Sequence, residues 1–206
     1  MSVTVRRTGS RFHSVPAWDG LTQLAFLGLC FGAGALSGFF FSGWSGDDPA
    51  LLEYLSRYLQ AVGQGSGVEP TLWASVYDLL RWPLITFLLG SSALGVAGIP
   101  LLLGIRGFLL SFAAATFARL FGLPGMAVSL TALGVSVLVG VPVLFVVAAD
   151  AFRQSLSRLA GERSPVWGQR VQALTPCAGL MVLAVALQQT VMPALFTAVC
   201  ARLFLS

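Results

Sequence analysis

The stretch from residue 21 to residue 42 reads LTQLAFLGLCFGAGALSGFFFS and contains no charged side chain. A helix needs about 20 predominantly apolar residues to cross the hydrocarbon core of a bilayer. This stretch therefore predicts a membrane-spanning helix. It is also longer than the roughly 7–15 residues in the apolar part of a cleavable signal sequence, so we expect an uncleaved signal anchor.

The chain as a whole has the composition of a protein whose main solvent is lipid. Of its 206 residues, 56% are hydrophobic and 10% are charged, and the mean hydropathy is +0.85. Soluble domains carry about 25% charged residues, so charge this sparse cannot cover a water-facing surface. The expected fold class is all-α, a polytopic bundle of about five transmembrane helices that forms a single membrane domain over residues 21–206.

Turn residues divide the remaining apolar sequence into four further spans. Gly95–Pro100 separates the second span from the third as an antiparallel hairpin, and Phe121–Gly125 separates the third from the fourth. Between the first two spans, Pro49–Val62 carries apolar residues at helical spacing, which predicts an amphipathic helix in the first extracytoplasmic loop. The predicted spans lie near residues 21–42, 79–96, 99–120, 126–149 and 174–199.

The arginines predict the orientation of the chain. All 12 basic residues are Arg, and cytoplasmic loops of membrane proteins hold the excess of basic side chains. Residues 1–20 form an Arg-rich tail, and four more arginines lie between Asp150 and Gln172. We therefore expect a multi-pass protein of the cytoplasmic membrane with its N-terminus inside. A nucleic-acid partner is not expected, because these charges follow membrane asymmetry instead of one folded polar face.

The sequence contains no recognisable catalytic or metal-binding pattern. His13 is the only histidine, so the sequence lacks the residues that a typical zinc site or a Ser–His catalytic pair requires. Cys30, Cys177 and Cys200 lie in apolar surroundings without the spacing of metal ligands. We therefore expect no enzyme, no metal site and no cofactor.

Small residues in the first span predict a close helix contact. Gly28 with Gly32, and Gly34 with Gly38, form two pairs in which small residues lie one turn apart, an arrangement that lets helix backbones approach closely in lipid. The contact is either within the chain or with a partner, which includes a second copy of this protein. The alternative is an apolar span that is simply rich in glycine.

Charged residues lie within the predicted spans or at their ends. Arg106 is about six residues into the third span, which is roughly 9 Å at about 1.5 Å per residue. A charge inside the membrane is a functional candidate by default. We favour snorkelling to the near interface, or a structural pair with Asp150, over a role in transport. Asp78 and Arg81, at the expected start of the second span, predict a local ion pair at headgroup level.

A set of glycine and proline motifs runs from Trp82 to Ala149. The motifs are Leu89-Gly90-Ser91-Ser92, Leu94-Gly95-Val96-Ala97-Gly98-Ile99-Pro100, Arg106-Gly107-Phe108, Phe112, Gly122–Gly125 and Val141-Pro142. Together with Gly28, Gly32 and Gly34 of the first span and the segment Leu52–Leu55, this part of the chain resembles the stage II sporulation protein M family.

The resemblance implies a non-enzymatic scaffold. Members of the family sit in the mother-cell membrane at the septum of endospore formers, where they hold the stage II sporulation proteins D and P, which cut peptidoglycan during engulfment of the forespore. On this basis Gly90, Gly95, Gly98, Pro100 and Gly107 are expected to serve helix packing or partner contacts. The sequence leaves open a small transporter or the membrane subunit of an ABC-type export system, because broken spans and an intramembrane arginine suit transport.

Overall fold

Helices make up almost all of the chain that the structure describes. The structure is a computed structural model and describes residues 20–45, 53–54, 56–57, 72–161, 167–190, 193–195 and 198. These residues contain no strand, which confirms the all-α class. In chain order the elements are α1 (Gly20–Ser45), α2 (Leu72–Leu89), α3 (Gly95–Val135), a π-helical turn (Ser136–Gly140), α4 (Val141–Leu159) and α5 (Trp167–Thr190).

Several of these helices have the length and composition of membrane spans. Four stretches qualify by both criteria, namely Gly20–Trp44, Gly95–Gly134, Val137–Leu159 and Cys177–Leu195. A shorter apolar helix, Leu79–Leu89, lies within α2. Their outer faces are apolar, since Leu29 and Val182 are 73% and 71% exposed. Lipid accommodates such faces at no cost, whereas water does not. The protein is therefore a multi-pass membrane protein with four to five apolar helices.

The helix α3 is folded back on itself at Gly122. The backbone there has φ 63° and ψ −136°, which no α-helix contains. A Cβ added to Gly125 would overlap the carbonyl oxygen of Phe117, although residues eight apart in a straight helix are about 12 Å apart. The chain thus reverses direction, and α3 consists of a first limb, residues 95–121, and a second limb, residues 123–135. The reversal falls within the predicted turn Phe121–Gly125.

The turn before α3 lies earlier than the sequence predicted. We expected the break at Gly95–Pro100, between spans 79–96 and 99–120, but α2 ends at Leu89 and α3 already begins at Gly95. The backbone N–H groups of Ser91 and Ser92 close the end of α2, donating to the carbonyls of Leu88 and Leu89 at 3.0 Å. Pro100 is accommodated in the second turn of α3, where neighbouring helices support a membrane helix that lacks one hydrogen bond.

The remaining span boundaries also shift. The helix α2 begins at Leu72, and its apolar part begins at Leu79, where the second span was predicted to start. The helical backbone after Gly122 continues through the π-helical turn to Leu159, beyond the predicted end at residue 149. The predicted fifth span, 174–199, overlaps α5. The amphipathic helix predicted at Pro49–Val62 falls largely outside the described residues, as does the tail 1–20 up to Gly20. The short pieces described there, 53–54 and 56–57, are helical, and Arg57 pairs with Glu53 one turn away.

The directions of the helices follow from their contacts. Added Cβ atoms on Gly34 and Gly38 of α1 would overlap the backbone of Gly104 and Phe108 respectively, so α1 runs parallel to the first limb of α3. Gly20, at the start of α1, lies near the Arg153 guanidinium at the far end of α4, so these two helices are antiparallel. We call the end of the bundle that holds Gly20 the Gly20 end.

Two apolar clusters hold the bundle together. The first joins α1, α3 and α4, and the second joins α2, α4 and α5. The first contains Leu27, Ile99, Leu102, Leu103, Leu144, Ala148, Ala151 and Phe152, and the second contains Leu79, Val143, Val147, Cys177, Met181 and Ala184. The helix α4 contributes to both clusters and is the common neighbour around which the other helices are arranged.

Replacing Gly122 with Ala is expected to destabilise the protein by about 1–3 kcal/mol, because a residue with a Cβ is strained at this backbone conformation. The measurement is the free energy of unfolding of the purified protein in mixed micelles. Gly179→Ala in α5 is the matched control, since a Cβ there meets no atom within 4 Å. Equal stability of the two variants would contradict the reversal at Gly122.

Candidate functional site

The contact between α1 and the first limb of α3 is made of backbone. On α1, a Cβ added to Gly34 would overlap the carbonyl group of Gly104, and one added to Gly38 would overlap the carbonyl oxygen of Phe108. From the other side, a Cβ on Gly107 would overlap the carbonyl oxygen of Phe31. Three glycines that the sequence predicted to serve helix packing therefore form one intramolecular contact: Gly34, Gly38 and Gly107. Gly104 also belongs to this contact, although it was not predicted.

Gly28 and Gly32 take no part in this contact. A Cβ added at either position would meet no atom within 4 Å. The two glycine pairs of α1 thus separate in the structure: Gly34 and Gly38 face α3, whereas Gly28 and Gly32 leave a shallow, small-residue surface that no described residue covers. We call this surface the Gly28/Gly32 face.

Gly90, Gly95 and Gly98 pack the turn between α2 and α3 at the Gly20 end. A Cβ on Gly90 would lie 2.7 Å from the Cβ of Ala151, and one on Gly95 would lie 2.9 Å from the Ser155 hydroxyl. A Cβ on Gly98 would collide with the side chain of Leu89. These glycines therefore serve contacts within the chain.

A buried hydrogen bond fastens the same turn to α4. The hydroxyl of Ser155, which is fully buried, donates to the carbonyl oxygen of Ser92 at 2.7 Å. No pattern in the sequence predicts this bond, because its partners are far apart in the chain. Pro100 has a different position: it lines an apolar groove between α1 and α3 together with Cys30, Ala33, Leu101, Gly104, Ile105 and Phe108.

Arg106 lies deeper in the bundle than the sequence predicted. It follows Gly95, the first residue of α3, by eleven positions, which is about 16 Å along the helix and near the middle of a hydrocarbon core about 30 Å thick. Its side chain is 9% exposed. The depth of roughly 9 Å expected from the sequence is therefore too small, because it was counted from a helix start that lies too late in the sequence. Snorkelling to an interface stays a prediction.

The predicted pair of Arg106 with Asp150 is not formed. The Asp150 carboxylate accepts a hydrogen bond from the amide of Gln154 on its own helix, and no salt bridge joins it to Arg106, although both side chains are among those that the structure describes. Asp150 precedes Ala151, which packs against Gly90 in the turn before α3. It is therefore level with the start of α3, well short of Arg106.

Arg106 instead stacks on a tryptophan. Its guanidinium carbon lies 5.2 Å from the centre of the Trp82 ring, and that of Arg81 lies 5.3 Å from the same ring. The indole Nε1 of Trp82 is buried, and no acceptor for it lies among the described residues. We call Arg81, Trp82 and Arg106 the Arg106 cluster.

The sequence predicts Arg81 near the membrane surface, because the second span is expected to begin near Leu79. In the structure α2 begins at Leu72 and its apolar part at Leu79, so Arg81 follows the helix start by nine positions. The headgroup-level pair predicted for Asp78 and Arg81 cannot be followed, because the side chain of Asp78 lies outside the described part of the chain. The signal that would have identified the cluster is the placement of two arginines beside one tryptophan at matching depths on adjacent spans.

Irregular helix segments lie at the same level as the Arg106 cluster. Pro83 interrupts the hydrogen bonding of α2 next to Trp82. On the neighbouring element, the π-helical turn Ser136–Gly140 is followed by Pro142, and Gly140 lies against the side chain of Leu79. A π-helical turn leaves backbone groups outside the regular ladder and is frequent at functional sites. The cluster therefore lies at a level where two neighbouring helices are irregular.

Within the described part of the chain, no three His, Cys, Asp or Glu side chains converge. Comparisons with protein-family models, with curated proteins and with solved structures return no match for this chain. The resemblance to the stage II sporulation protein M family therefore rests on the sequence motifs alone.

Replacing Gly34 with Ala is expected to destabilise the bundle by about 1–3 kcal/mol or more, because the added methyl group would force α1 away from the backbone of Gly104. Gly28→Ala makes the same chemical change on the same helix and is expected to leave the free energy of unfolding unchanged or slightly higher, since Ala favours the helix. Unfolding of both variants in mixed micelles provides the comparison. A Gly34→Ala variant as stable as Gly28→Ala would rule out the close contact.

Proposed function

We propose that this protein is a non-enzymatic membrane scaffold that resembles stage II sporulation protein M and localises peptidoglycan-cleaving partners during engulfment. By the resemblance, those partners are the stage II sporulation proteins D and P. The observation that carries the proposal is the Gly28/Gly32 face, a small-residue surface of α1 that the rest of the described chain leaves open.

The exposure of α1 supports a docking role. Only 11% of the residues in its most apolar stretch are buried inside the protein, and the corresponding figure for the span Cys177–Leu195 is 12%. The span Val137–Leu159, which lies between the two apolar clusters, buries 39%. In lipid, helices associate through close packing at small residues, so the Gly28/Gly32 face is suited to a membrane-spanning segment of a partner.

The orientation proposed for the scaffold has the N-terminus in the cytoplasm, in the cell membrane and, by resemblance, in the mother-cell membrane at the septum. The Gly20 end then faces the cytoplasm. Arg153 and Arg158 lie near the end of α4, close to Gly20, and cytoplasmic flanks are where basic residues accumulate. The tip of the α3 hairpin, at Leu123, then faces outward, where enzymes that cut peptidoglycan act.

Replacing Gly32 with Leu is expected to reduce the recovery of a wall-cleaving partner in crosslinked co-purification from sporulating cells. The leucine side chain would fill the Gly28/Gly32 face and keep a partner helix at a distance. Gly179→Leu on α5 is the matched control, because it makes the same change at another open glycine, and partner recovery is expected to stay at the wild-type level. Unchanged recovery with Gly32→Leu would exclude docking at this face.

The orientation is tested with single cysteines in a variant that lacks the native ones. A maleimide that cannot cross membranes should label Leu123→Cys in intact cells, because this exposed residue lies at the proposed outer tip. Ala160→Cys, beyond α4, should react only after the membrane is permeabilised. The opposite pattern would invert the topology and place the hairpin tip in the cytoplasm.

One observation favours a second candidate, a small transporter or the membrane subunit of an ABC-type export system. The Arg106 cluster places a 9%-exposed guanidinium at mid-helix beside a π-helical turn, and transporters place substrate sites where spanning helices are broken. This candidate predicts that an ATPase is recovered with the protein and that the loop 150–172 binds it. Recovery of an ATPase without any wall hydrolase would reject the scaffold in favour of transport.

A further inference from the structure

A groove lies where α1 meets the two limbs of the α3 hairpin. It is lined by small residues of the first limb, Ser111, Ala114 and Ala118 among them, by Phe39 of α1 and by Leu130 of the second limb. Its volume is about 450 Å³, within the range of about 300–1,000 Å³ of clefts that hold small molecules. Phe39 and Leu130 are 49% and 74% exposed, so the groove faces lipid. We call it the hairpin groove.

One end of the hairpin groove lies at the border of the hydrocarbon core. The helix α1 has 26 residues, which span about 39 Å and exceed a core about 30 Å thick. Its last turn contains Trp44, which is 88% exposed, and tryptophan is enriched at membrane interfaces. The last turn of α1 is therefore at headgroup level, and Phe39, one turn before Gly43, lies just inside the core.

Arg119 lies over this end of the groove. Its guanidinium carbon is 5.2 Å from the centre of the Phe39 ring, and its Nη2 donates to the Phe39 carbonyl oxygen at 3.4 Å. A Cβ added to Gly43 would lie 2.9 Å from Nη1, so the guanidinium is held beside the last turn of α1. Side chains on a helix lean towards its N-terminus, which for the first limb is the direction of the membrane centre. Arg119 therefore leans towards the groove instead of the hairpin tip.

The cation and the groove together match the two parts of a lipid molecule. Arg119 is exposed, its bond to Phe39 uses one of five guanidinium N–H donors, and no carboxylate of the described residues pairs with it. A phosphate group is the natural acceptor for such a guanidinium, and an apolar groove that faces lipid suits a hydrocarbon chain. A glycerophospholipid carries both groups, with the phosphate at headgroup level and the chain below it.

We propose that the hairpin groove binds one anionic glycerophospholipid, with an acyl chain in the groove and the phosphate on Arg119. The lipid is anionic because its net charge balances that of the arginine, whereas the choline group of a zwitterionic lipid places a second cation nearby. The lipid belongs to the leaflet at the hairpin tip, whichever way the chain is oriented. The site is separate from the Gly28/Gly32 face and does not depend on the scaffold role.

The test is native mass spectrometry of the full-length protein in an uncharged detergent, which counts bound lipids as phosphatidylglycerol is added. The first phosphatidylglycerol is expected to bind more tightly than the first phosphatidylcholine by about three- to tenfold, the effect of a charge-assisted contact at a partly solvated site. Inorganic phosphate at equal concentration should not displace the lipid, because it makes no contact with the groove.

Two variants separate the headgroup contact from the chain contact. Arg119→Gln is expected to abolish the preference for phosphatidylglycerol over phosphatidylcholine. Ala114→Leu fills part of the groove and leaves the arginine in place, so it is expected to weaken the first binding step of both lipids. Arg119→Gln changes an exposed side chain and stays informative if Ala114→Leu fails to fold. Arg153→Gln is the matched control, because it removes the same charge from an exposed arginine at the Gly20 end, and it should keep the wild-type preference.

The proposal is overturned if Arg119→Gln keeps the preference, if Arg153→Gln loses it as fully, or if Ala114→Leu binds both lipids as the wild-type protein does. Displacement of the lipid by inorganic phosphate also overturns it, because the groove then contributes nothing. A last contrary result is a preference that the wild-type protein lacks and that appears when Asp47 and Asp48, which follow α1 in the sequence, are both replaced with Asn. In that case the chain itself balances the charge of Arg119.

Discussion

The contact between α1 and the first limb of α3 is the constraint on which the rest of the bundle depends. Lipid tails are as apolar as leucine side chains, so helices in a membrane gain little from hiding apolar surface and associate through close packing instead. At Gly34 and Gly104 the two backbones approach so closely that no side chain fits between them. Because α1 and this limb are parallel, the chain must return across the bundle between them, and α2 is the described helix that does so. The turn at residues 90–94 then joins α2 to the start of α3.

The same reasoning shows what the sequence could and could not predict about the fold. The reversal at Gly122 was predictable because the sequence Phe-Gly-Leu-Pro-Gly contains two glycines and a proline, residues that interrupt a helix. The turn before α3 was not predictable, because Gly90 marks one candidate turn and Gly95, Gly98 and Pro100 mark another. A membrane helix tolerates Pro100 where its neighbours support the backbone. The choice is made by contacts distant in sequence, such as Gly90 against Ala151 and the bond from Ser155 to Ser92.

The two glycine pairs of α1 look alike in the sequence and differ completely in the structure. Gly28 and Gly34 are six residues apart, which turns the helix through about 600° and leaves the pairs on faces about 120° apart. A single neighbour can therefore cover only one pair. Helical geometry thus predicts that one pair is open, but it cannot say which, since that depends on where α3 lies. The internal contact takes Gly34 and Gly38, which leaves Gly28 and Gly32 for a partner or for lipid.

Packing alone does not account for the Arg106 cluster. A charged side chain at the centre of a membrane helix costs about 2.5–3.5 kcal/mol on insertion scales, and stacking on a tryptophan returns about 0.5–2 kcal/mol. The ring is one of the contacts that hold the arginine inside the protein. The arginine also lies where both neighbouring elements are irregular, at Pro83 and at the π-helical turn. A charge and two helix irregularities therefore coincide at one level of the bundle, and contacts within the chain must offset the cost of placing them there.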